Sequence, residues 1–158
     1  MNLLLLNLLL ALAWVALTGN FQPIDFAFGF GLGYLVLWLF SPLWGTRRYF
    51  TQMPRLVDLA VYFLFDMLRA NLRLAVTILS PKMNLRPAVV AVPLTLRSET
   101  AIILLTNLIT LTPGTLTLDI SSDRRMLYIH TVWLEDVAQF RRQVIEGYER
   151  RVKELFEP

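Results

Sequence analysis

The distribution of charge along the chain constrains its fold more than any other feature. No Lys or Arg precedes Arg47, and Asp25 is the only acidic residue before Asp58. The chain is 56% hydrophobic and 17% charged, whereas soluble domains are about 25% charged. Composition therefore predicts an integral membrane protein, in which a first region is solvated by lipid and a second region by water.

Two apolar runs precede the first basic residue. They extend from Leu3 to Thr18 and from Ile24 to Phe40, with turn-forming residues between them. We expect residues 1–45 to form a hairpin of two transmembrane helices. Each run is shorter than the about 20 residues that cross a hydrocarbon core, so neighbouring helices or local thinning should complete the burial. The tryptophans expected near the membrane interfaces are Trp14, Trp38 and Trp44.

Small residues recur at helical spacing inside the second apolar run. Ala27 and Gly31 are four residues apart, as are Gly29 and Gly33. Small residues at this spacing let helices approach closely in a membrane, so we expect these four to be helix-packing residues. The alternative is a phosphate-binding glycine loop, but no strand precedes the glycines and no Lys accompanies them.

Residues 46–85 combine a basic connection with an amphipathic helix. Arg47, Arg48 and Arg55 follow the second apolar run, and the positive-inside rule places them in the cytoplasm. From Pro54 to about Ser80, polar residues recur three or four positions apart opposite an apolar face. We expect this helix to lie at the cytoplasmic interface or between partner helices, and a third membrane span is the alternative. The polar residues are Asp58, Tyr62, Asp66, Arg69 and Arg73.

Asp66 and Arg69 lie three residues apart on this polar stripe. At a surface they would form a weak ion pair worth about 0.2–0.5 kcal/mol. Within the membrane they would form a buried ion pair on a proton path, because ionisable groups in lipid are rare and functional. The choice between the two interpretations depends on the depth of the helix.

Residues 86–158 change from helical periodicity to strand periodicity. Apolar side chains alternate with others from Ala88 to Leu96, which predicts a strand. Ser98 is a favourable first residue for a helix, which Pro113 and Gly114 would end.

A hairpin and a final helix follow. Alternation over 115–120 and 126–132, on either side of a turn-forming stretch, predicts two antiparallel strands. A helix is expected over about 134–156, with Glu146 and Arg150 among the pairs on its outer face. The order strand, helix, strand, strand, helix predicts a small cytoplasmic α+β domain that leans on a partner.

Chemistry-bearing residues are scarce. Apart from Asp25, no Asp, Glu, Lys, Arg or His occurs between Leu3 and Gly45, so we expect that this chain does not itself carry an ion path. His130 is the only histidine and there is no cysteine. The sequence therefore indicates no metal, no cofactor and no enzyme activity. The basic residues serve topology and contact with membrane lipids, so no nucleic-acid partner is expected.

The densest motif extends from Asn107 to Asp119 and reads Asn-Leu-Ile-Thr-Leu-Thr-Pro-Gly-Thr-Leu-Thr-Leu-Asp. Its threonines have two explanations: strand propensity, or hydroxyls presented to a neighbouring subunit by a tight corner on a rigid scaffold. The candidate contact residues are Thr112, Pro113, Gly114 and Thr115.

This motif, together with the run from Leu127 to His130 and the run from Gly29 to Tyr34, resembles the E subunit of the multisubunit monovalent cation/proton antiporters of the Mrp type, also called Mnh or Pha. The resemblance covers the whole chain in length and order of elements. It implies an accessory subunit of a bacterial inner-membrane complex that exchanges Na⁺ or K⁺ for H⁺. Large antiporter-like subunits would hold the ion-translocating residues, and the Thr112–Thr115 corner would matter for activity. The competing hypothesis is a self-standing membrane-anchored module that regulates or binds a ligand.

Overall fold

The structure, a computed structural model, describes residues 3–41, 48–81 and 85–157. The chain divides into two compact units, Met1–Pro54 and Arg55–Pro158. Most of the segment predicted as a separate connection, 46–85, thus belongs to the second unit. The predictions for Trp44, for Arg47 and for the side chain of Arg48 fall outside the described part of the chain.

The first unit contains a helical hairpin. Helix α1 (Leu3–Thr18) and helix α2 (Pro23–Leu39) are joined by a turn in which Gly19 has a positive φ of 68°. Pro23 lies in the first turn of α2, where its missing N–H removes no helical hydrogen bond. In the part of the chain that the structure describes, no helix combines the length and the apolarity needed to cross a membrane.

The contact between α1 and α2 includes two of the four small residues. A Cβ added to Gly29 would lie 2.9 Å from the Cβ of Trp14, and a Cβ added to Gly33 would overlap the side chain of Asn7. Gly31 has no neighbour within 4 Å at that position, and Ala27 is exposed. The structure thus brings one i, i+4 pair to the hairpin contact and leaves the other pair on the outer surface.

A buried amide links α1 to the next helix, α3 (Arg48–Leu79). Asn7 is fully buried, and its Nδ2 donates a hydrogen bond of 2.7 Å to the hydroxyl of Tyr49. The rings of Tyr34, Tyr49 and Phe50 pack around this contact with centroids 5.2 to 5.7 Å apart. Since a buried donor that loses its acceptor costs about 1–3 kcal/mol, this bond fixes the position of the Asn7 side chain.

The second unit is an α+β domain together with the part of α3 that follows Pro54. Its three strands form one antiparallel sheet in the order β1-β3-β2. The sheet and its helices confirm the predicted mixture of helix and small antiparallel sheet. In chain order the elements are β1 (Ala88–Pro93), α4 (Glu99–Leu111), β2 (Thr115–Ile120), β3 (Met126–Thr131), α5 (Val137–Arg142), a π-helical stretch (Gln143–Glu149) and α6 (Arg150–Phe156).

One face of the sheet forms the core with the helices. Val92, Leu127 and Ile129 point inward and are at most 1% exposed. They pack in one cluster with Leu105 of α4 and Val152 of α6. Alternate residues point to the other, outer face of the sheet, which is the period of two that the sequence showed. Exposed hydrophobic residues on that face are Val89, Leu116 and Tyr128.

The last helical segment differs from the prediction. It begins at Val137, and Asp136 caps it by accepting a hydrogen bond from the N–H of Ala138. Arg150 donates to the backbone carbonyl of Glu146 instead of pairing with its carboxylate. The predicted outer-face pairs were wrong in this respect because the π-helical stretch bonds residue i to i+5, which rotates later residues away from α-helical spacing.

Two carboxylates near the end of the chain accept hydrogen bonds from the loop between β1 and α4. Glu149 is only 2% exposed, and its Oε1 accepts hydrogen bonds from the N–H and the hydroxyl of Thr95. Glu157 Oε1 accepts from the N–H groups of Arg97 and Ser98, at 2.7 and 2.6 Å. These two backbone hydrogen bonds, that from Ser98 first, hold the pKa of the Glu157 carboxyl below its ordinary value. Two carboxylates thus fasten the start of α4 to the end of the chain.

The glycine contact in the hairpin leads to a prediction. Replacing Gly29→Ala should destabilise the hairpin by about 1–3 kcal/mol, because a methyl group would push against the Cβ of Trp14. The measurement is the temperature at which half of the detergent-solubilised protein has unfolded on heating. Gly31→Ala is the matched control: it adds the same methyl group in open space and should be neutral or slightly stabilising. Equal midpoints for the two variants would contradict the packing role of Gly29.

Candidate functional site

A cleft of about 340 Å³ lies within the second unit, between α3 and the α+β domain. Asp66, Arg69 and Arg73 line it from α3, and Thr112 and Thr115 line it from the corner after α4. Two groups of residues that the sequence singled out separately therefore face the same space. We take this cleft as the candidate functional site.

The polar stripe of α3 faces the α+β domain. Asp58 pairs with Nε of Arg151 at 2.9 Å, and Arg73 pairs with Glu135 at 2.6 Å. The guanidinium of Arg151 also lies 4.1 Å from the centroid of the Tyr62 ring. Since these partners belong to the same chain, Asp58, Tyr62 and Arg73 of the polar stripe are engaged within the second unit.

The opposite side of α3 is apolar and exposed. Its large hydrophobic side chains keep more than half of their surface accessible, and they follow one another at helical spacing along the helix. An exposed apolar surface of this extent is typical of a face that another protein or a membrane covers. Its residues include Val57, Val61, Leu64, Phe65, Leu68, Leu72 and Val76.

Tyr148 connects the two sides of the cleft. Its hydroxyl donates a hydrogen bond of 2.6 Å to Oδ2 of Asp66 and lies 3.1 Å from Oγ1 of Thr112. Asp66 therefore has Tyr148 as its hydrogen-bond partner, and among the described residues no ion pair joins it to Arg69. Burial, followed by the hydrogen bond to Asp66, raises the pKa of the Tyr148 phenol. The phenol consequently stays protonated and remains a hydrogen-bond donor.

The Thr112–Thr115 corner is held by bonds within the chain. Thr112 Oγ1 donates to the carbonyl of Leu108 at 3.0 Å, and Thr115 Oγ1 donates to the carbonyl of Ile109 at 2.6 Å. Gly114 has a positive φ of 87°, and a Cβ at this position would overlap the ring of Trp133. The corner thus needs a residue without a side chain, and its threonine hydroxyls close the end of α4.

Threonines also fasten β2 to α4. Thr117 Oγ1 donates to the carbonyl of Thr106, and the N–H of Thr117 donates to Oγ1 of Thr110, both at 3.3 Å. A bond from a helix side chain to an edge strand satisfies a backbone group that would otherwise be open to pairing with another chain. This contact accounts for the density of threonine in the motif without requiring a partner.

Two residues missed by sequence reasoning shape this site: Trp133 lines the cleft, and Gly147 precedes the lining residue Tyr148. The guanidinium of Arg73 lies over Trp133, with its Cζ 5.2 Å from the centroid of the Trp133 ring. The Nε1 of Trp133 is buried without a hydrogen-bond partner among the described residues. Gly147 allows the close approach of Tyr62, whose hydroxyl occupies the space that a Cβ would need. A glycine inside a helical pattern was the available signal for this approach, whereas the position of Tyr148 on the apolar face of the last helix predicts no more than a core residue.

Across residues 3–41, 48–81 and 85–157, the structure forms no cluster of three His, Cys, Asp or Glu residues that could hold a metal ion. His130 does not line the cleft. It lies in β3 between Val89 and Leu116 in the sheet register.

Comparison with known proteins gives a consistent result. A family model described as MNHE, Na⁺/H⁺ ion antiporter subunit, matches residues 7–155. The E subunit of the Na⁺/H⁺ antiporter of Alkalihalophilus pseudofirmus is 32% identical over 151 residues, which cover 96% of each chain. The protein of the same description from Bacillus subtilis is 35% identical over the same share of each chain.

Two solved structures have the same fold. A chain in an archaeal respiratory membrane complex, the membrane-bound sulfane sulfur reductase, superposes with a TM-score of 0.57 at 25% identity and 98% coverage of both chains. A chain of the Mrp complex from Dietzia sp. superposes with a TM-score of 0.51 at 22% identity, over 63% of this chain and 93% of that one.

The Tyr148 contacts lead to a prediction. Tyr148→Phe should destabilise the protein by about 1–3 kcal/mol near neutral pH, because Asp66 would lose its donor. The raised pKa of Tyr148 also sets a pH dependence: its stabilising contribution is complete below pH 10.0, the ordinary value, and declines as the pH rises towards the folded-state pKa. Thermal unfolding from about pH 7 to about pH 11 should therefore show a smaller alkaline loss in the variant.

Tyr128→Phe is the matched control for this prediction. Tyr128 lies on the outer face of the sheet and is 37% exposed, and the donor to Asp66 is Tyr148, so Tyr128→Phe should not reproduce the destabilisation expected of Tyr148→Phe. If the stability of wild type and of Tyr148→Phe falls equally between about pH 7 and about pH 11, Tyr148 does not make this contribution.

Gly114 leads to a separate prediction. Gly114→Ala should be strongly destabilising, since it combines about 1–2 kcal/mol of left-handed backbone strain with displacement of the Trp133 ring. Gly19→Ala carries the same kind of strain, but its Cβ would meet nothing within 4 Å. Thermal unfolding should rank Gly114→Ala below Gly19→Ala by at least about 1 kcal/mol. If Gly114→Ala were more stable than Gly19→Ala, a clash with Trp133 would not explain the effect of the substitution.

Proposed function

Because the chain belongs to the family of Na⁺/H⁺ ion antiporter subunits, and aligns with 96% of the length of relatives named as the E subunit, we propose that it is an accessory subunit of a multisubunit Na⁺(K⁺)/H⁺ antiporter in the bacterial plasma membrane. In this proposal the chain supports assembly and does not carry the ion path. Its partners are the other antiporter subunits, including large antiporter-like membrane subunits.

The observation that supports this proposal best is the unpartnered apolar surface. Leu5, Leu9 and Leu12 of α1 are each more than half exposed, as are Phe28 and Leu35 of α2. Together with the apolar side of α3, these residues form far more hydrophobic surface than a water-soluble monomer tolerates. Lipid and neighbouring transmembrane helices are the environment that stabilises such a surface.

We place the α1–α2 hairpin in the membrane and the α+β domain in the cytoplasm. A helix of 16 residues, such as α1, rises about 24 Å, so neighbouring subunits would complete its burial. Ala27 and Gly31 are exposed on α2 and allow a further helix to approach closely. Helix α3 lies at the cytoplasmic interface, with its apolar side towards lipid or partner helices and its polar side towards its own domain.

The Thr112–Thr115 corner acts in this proposal as a shaped surface. Its hydroxyls bond within the chain, so a neighbouring subunit would contact the partly exposed Pro113 and Gly114. Asp66 is held by Tyr148. In this proposal the ion-translocating groups belong to partner subunits.

Co-purification tests the subunit assignment. The tagged chain, expressed from its native locus and extracted in a mild detergent, should recover large antiporter-like membrane subunits that mass spectrometry identifies. Combined replacement of the outward pair, Ala27→Leu with Gly31→Leu, should reduce this recovery by about tenfold. Ala13→Leu with Ala16→Leu, which adds similar bulk at exposed positions of α1, is the control. Recovery of a stable, solitary chain would instead favour the self-standing regulatory or ligand-binding module, for which the cleft would be the ligand site.

Cysteine labelling tests the topology. The chain has no cysteine, so single cysteines at Ser80 and Ser122 give an unambiguous signal. Neither site should react with a membrane-impermeant reagent in intact cells, and both should react after permeabilisation. Ready labelling at Ser122 in intact cells would overturn the cytoplasmic assignment of the α+β domain.

A further inference from the structure

We propose that the cleft between α3 and the α+β domain binds the phosphate headgroup of an anionic phospholipid, with Arg69 as the principal phosphate ligand. The inference rests on the proposed function in one respect, which is that the apolar side of α3 lies against lipid. No site of this kind is needed for the subunit assignment itself.

The charged residues that line the cleft are two arginines and one aspartate, which leaves a net charge of +1 (+2 − 1). Arg69 and Arg73 contribute two guanidinium groups from α3, and Asp66 contributes one carboxylate. One oxygen of that carboxylate already accepts the Tyr148 hydroxyl at 2.6 Å. A bare cation would therefore meet two positive groups and a carboxylate that is already hydrogen-bonded. A phosphate would meet the same carboxylate but would gain the unengaged N–H donors of Arg69.

Arg69 is the unoccupied donor. No hydrogen bond or ion pair within the described residues engages its guanidinium, whereas Arg73 bonds Glu135 and stacks on Trp133. The two arginines are one helical turn apart, with a rise of about 6 Å between them. Both can therefore reach the oxygens of one phosphodiester, Arg69 with its full set of donors and Arg73 with those that Glu135 leaves free.

The walls of the cleft explain why the anion would belong to a lipid. Phe65 lines the cleft and also belongs to the exposed apolar side of α3, where it is 68% exposed. The polar cleft and the apolar surface therefore meet at Phe65. A phospholipid has the same arrangement, with a phosphate joined to acyl chains, so its chains can follow the apolar side of α3 while its headgroup enters the cleft.

Lipid retention is the test. The tagged chain, with whatever subunits accompany it, is delipidated in detergent and incubated with phosphatidylglycerol or with phosphatidylcholine of identical acyl chains. Native mass spectrometry then counts bound lipid. Wild type should retain phosphatidylglycerol in preference to phosphatidylcholine, and Arg69→Gln should weaken this retention by about tenfold. Because no hydrogen bond or ion pair within the described residues engages Arg69, the delipidated variant should unfold at the same temperature as delipidated wild type, which shows that the substitution does not disturb folding.

Two controls separate the lipid site from general electrostatics and from folding. Arg142→Gln removes an exposed charge that does not line the cleft and should retain phosphatidylglycerol as wild type does. Glu135→Gln breaks the ion pair of Arg73 while keeping its guanidinium, and should retain the lipid at least as well. If Arg69→Gln and Arg142→Gln lose lipid equally, the effect is diffuse surface charge and the cleft site is refuted.

Competition distinguishes the sources of phosphate. Inorganic phosphate at millimolar concentration should not displace phosphatidylglycerol, because it lacks the acyl chains that contact α3; ready displacement would refute a lipid site and indicate a soluble anion. The outcome is also independent of the subunit assignment. A solitary chain that retains phosphatidylglycerol through Arg69 would support the lipid site and refute the assembly role. An assembled complex in which Arg69→Gln retains the lipid as wild type does would support the assembly role and refute the lipid site.

Discussion

The hydroxyl of Tyr148 is the contact on which the second unit depends. It donates to Asp66 of α3 and approaches Thr112 at the end of α4, so a single group joins three elements that are distant in sequence. Gly147 beside it removes the side chain that would otherwise hold Tyr62 and α3 away. Because a buried phenol without an acceptor is costly, the polar side of α3 turns towards the domain and the apolar side turns outward.

The orientation of α3 gives the molecule its functional character. An amphipathic helix in a soluble protein buries its apolar side, whereas this helix turns its polar stripe, together with Leu59 and Phe63, towards its own domain and leaves a wide hydrophobic side exposed. The surface of the hairpin is equally apolar. A chain built in this way needs a lipid or protein environment to be stable, which is the physical basis for regarding it as one part of a larger membrane assembly.

Much of the fold could be predicted because it depends on local patterns. Alternation from Ala88 to Leu96 and around the turn after Ile120 identified the strands, and Ser98 and Pro113 marked the two ends of α4. The limits of local reasoning appear in the last helix, where a π-helical stretch altered the spacing of Glu146 and Arg150. A prediction from periodicity assumes the regular spacing of an α-helix, so it does not detect a π-helical stretch in which that spacing changes.

By itself, the sequence determined which segments are apolar, which residues end helices, and that the Thr112–Thr115 corner belongs with an antiporter subunit family. Charge content and turn residues act over a few positions, so they can be read from the chain. Only the tertiary structure decided that Asp66 bonds Tyr148, that Gly29 and Gly33 meet α1 while Gly31 does not, and that a cleft joins α3 to the corner. Those outcomes depend on which elements pack together, and contacts between distant segments leave no periodic signal in the sequence.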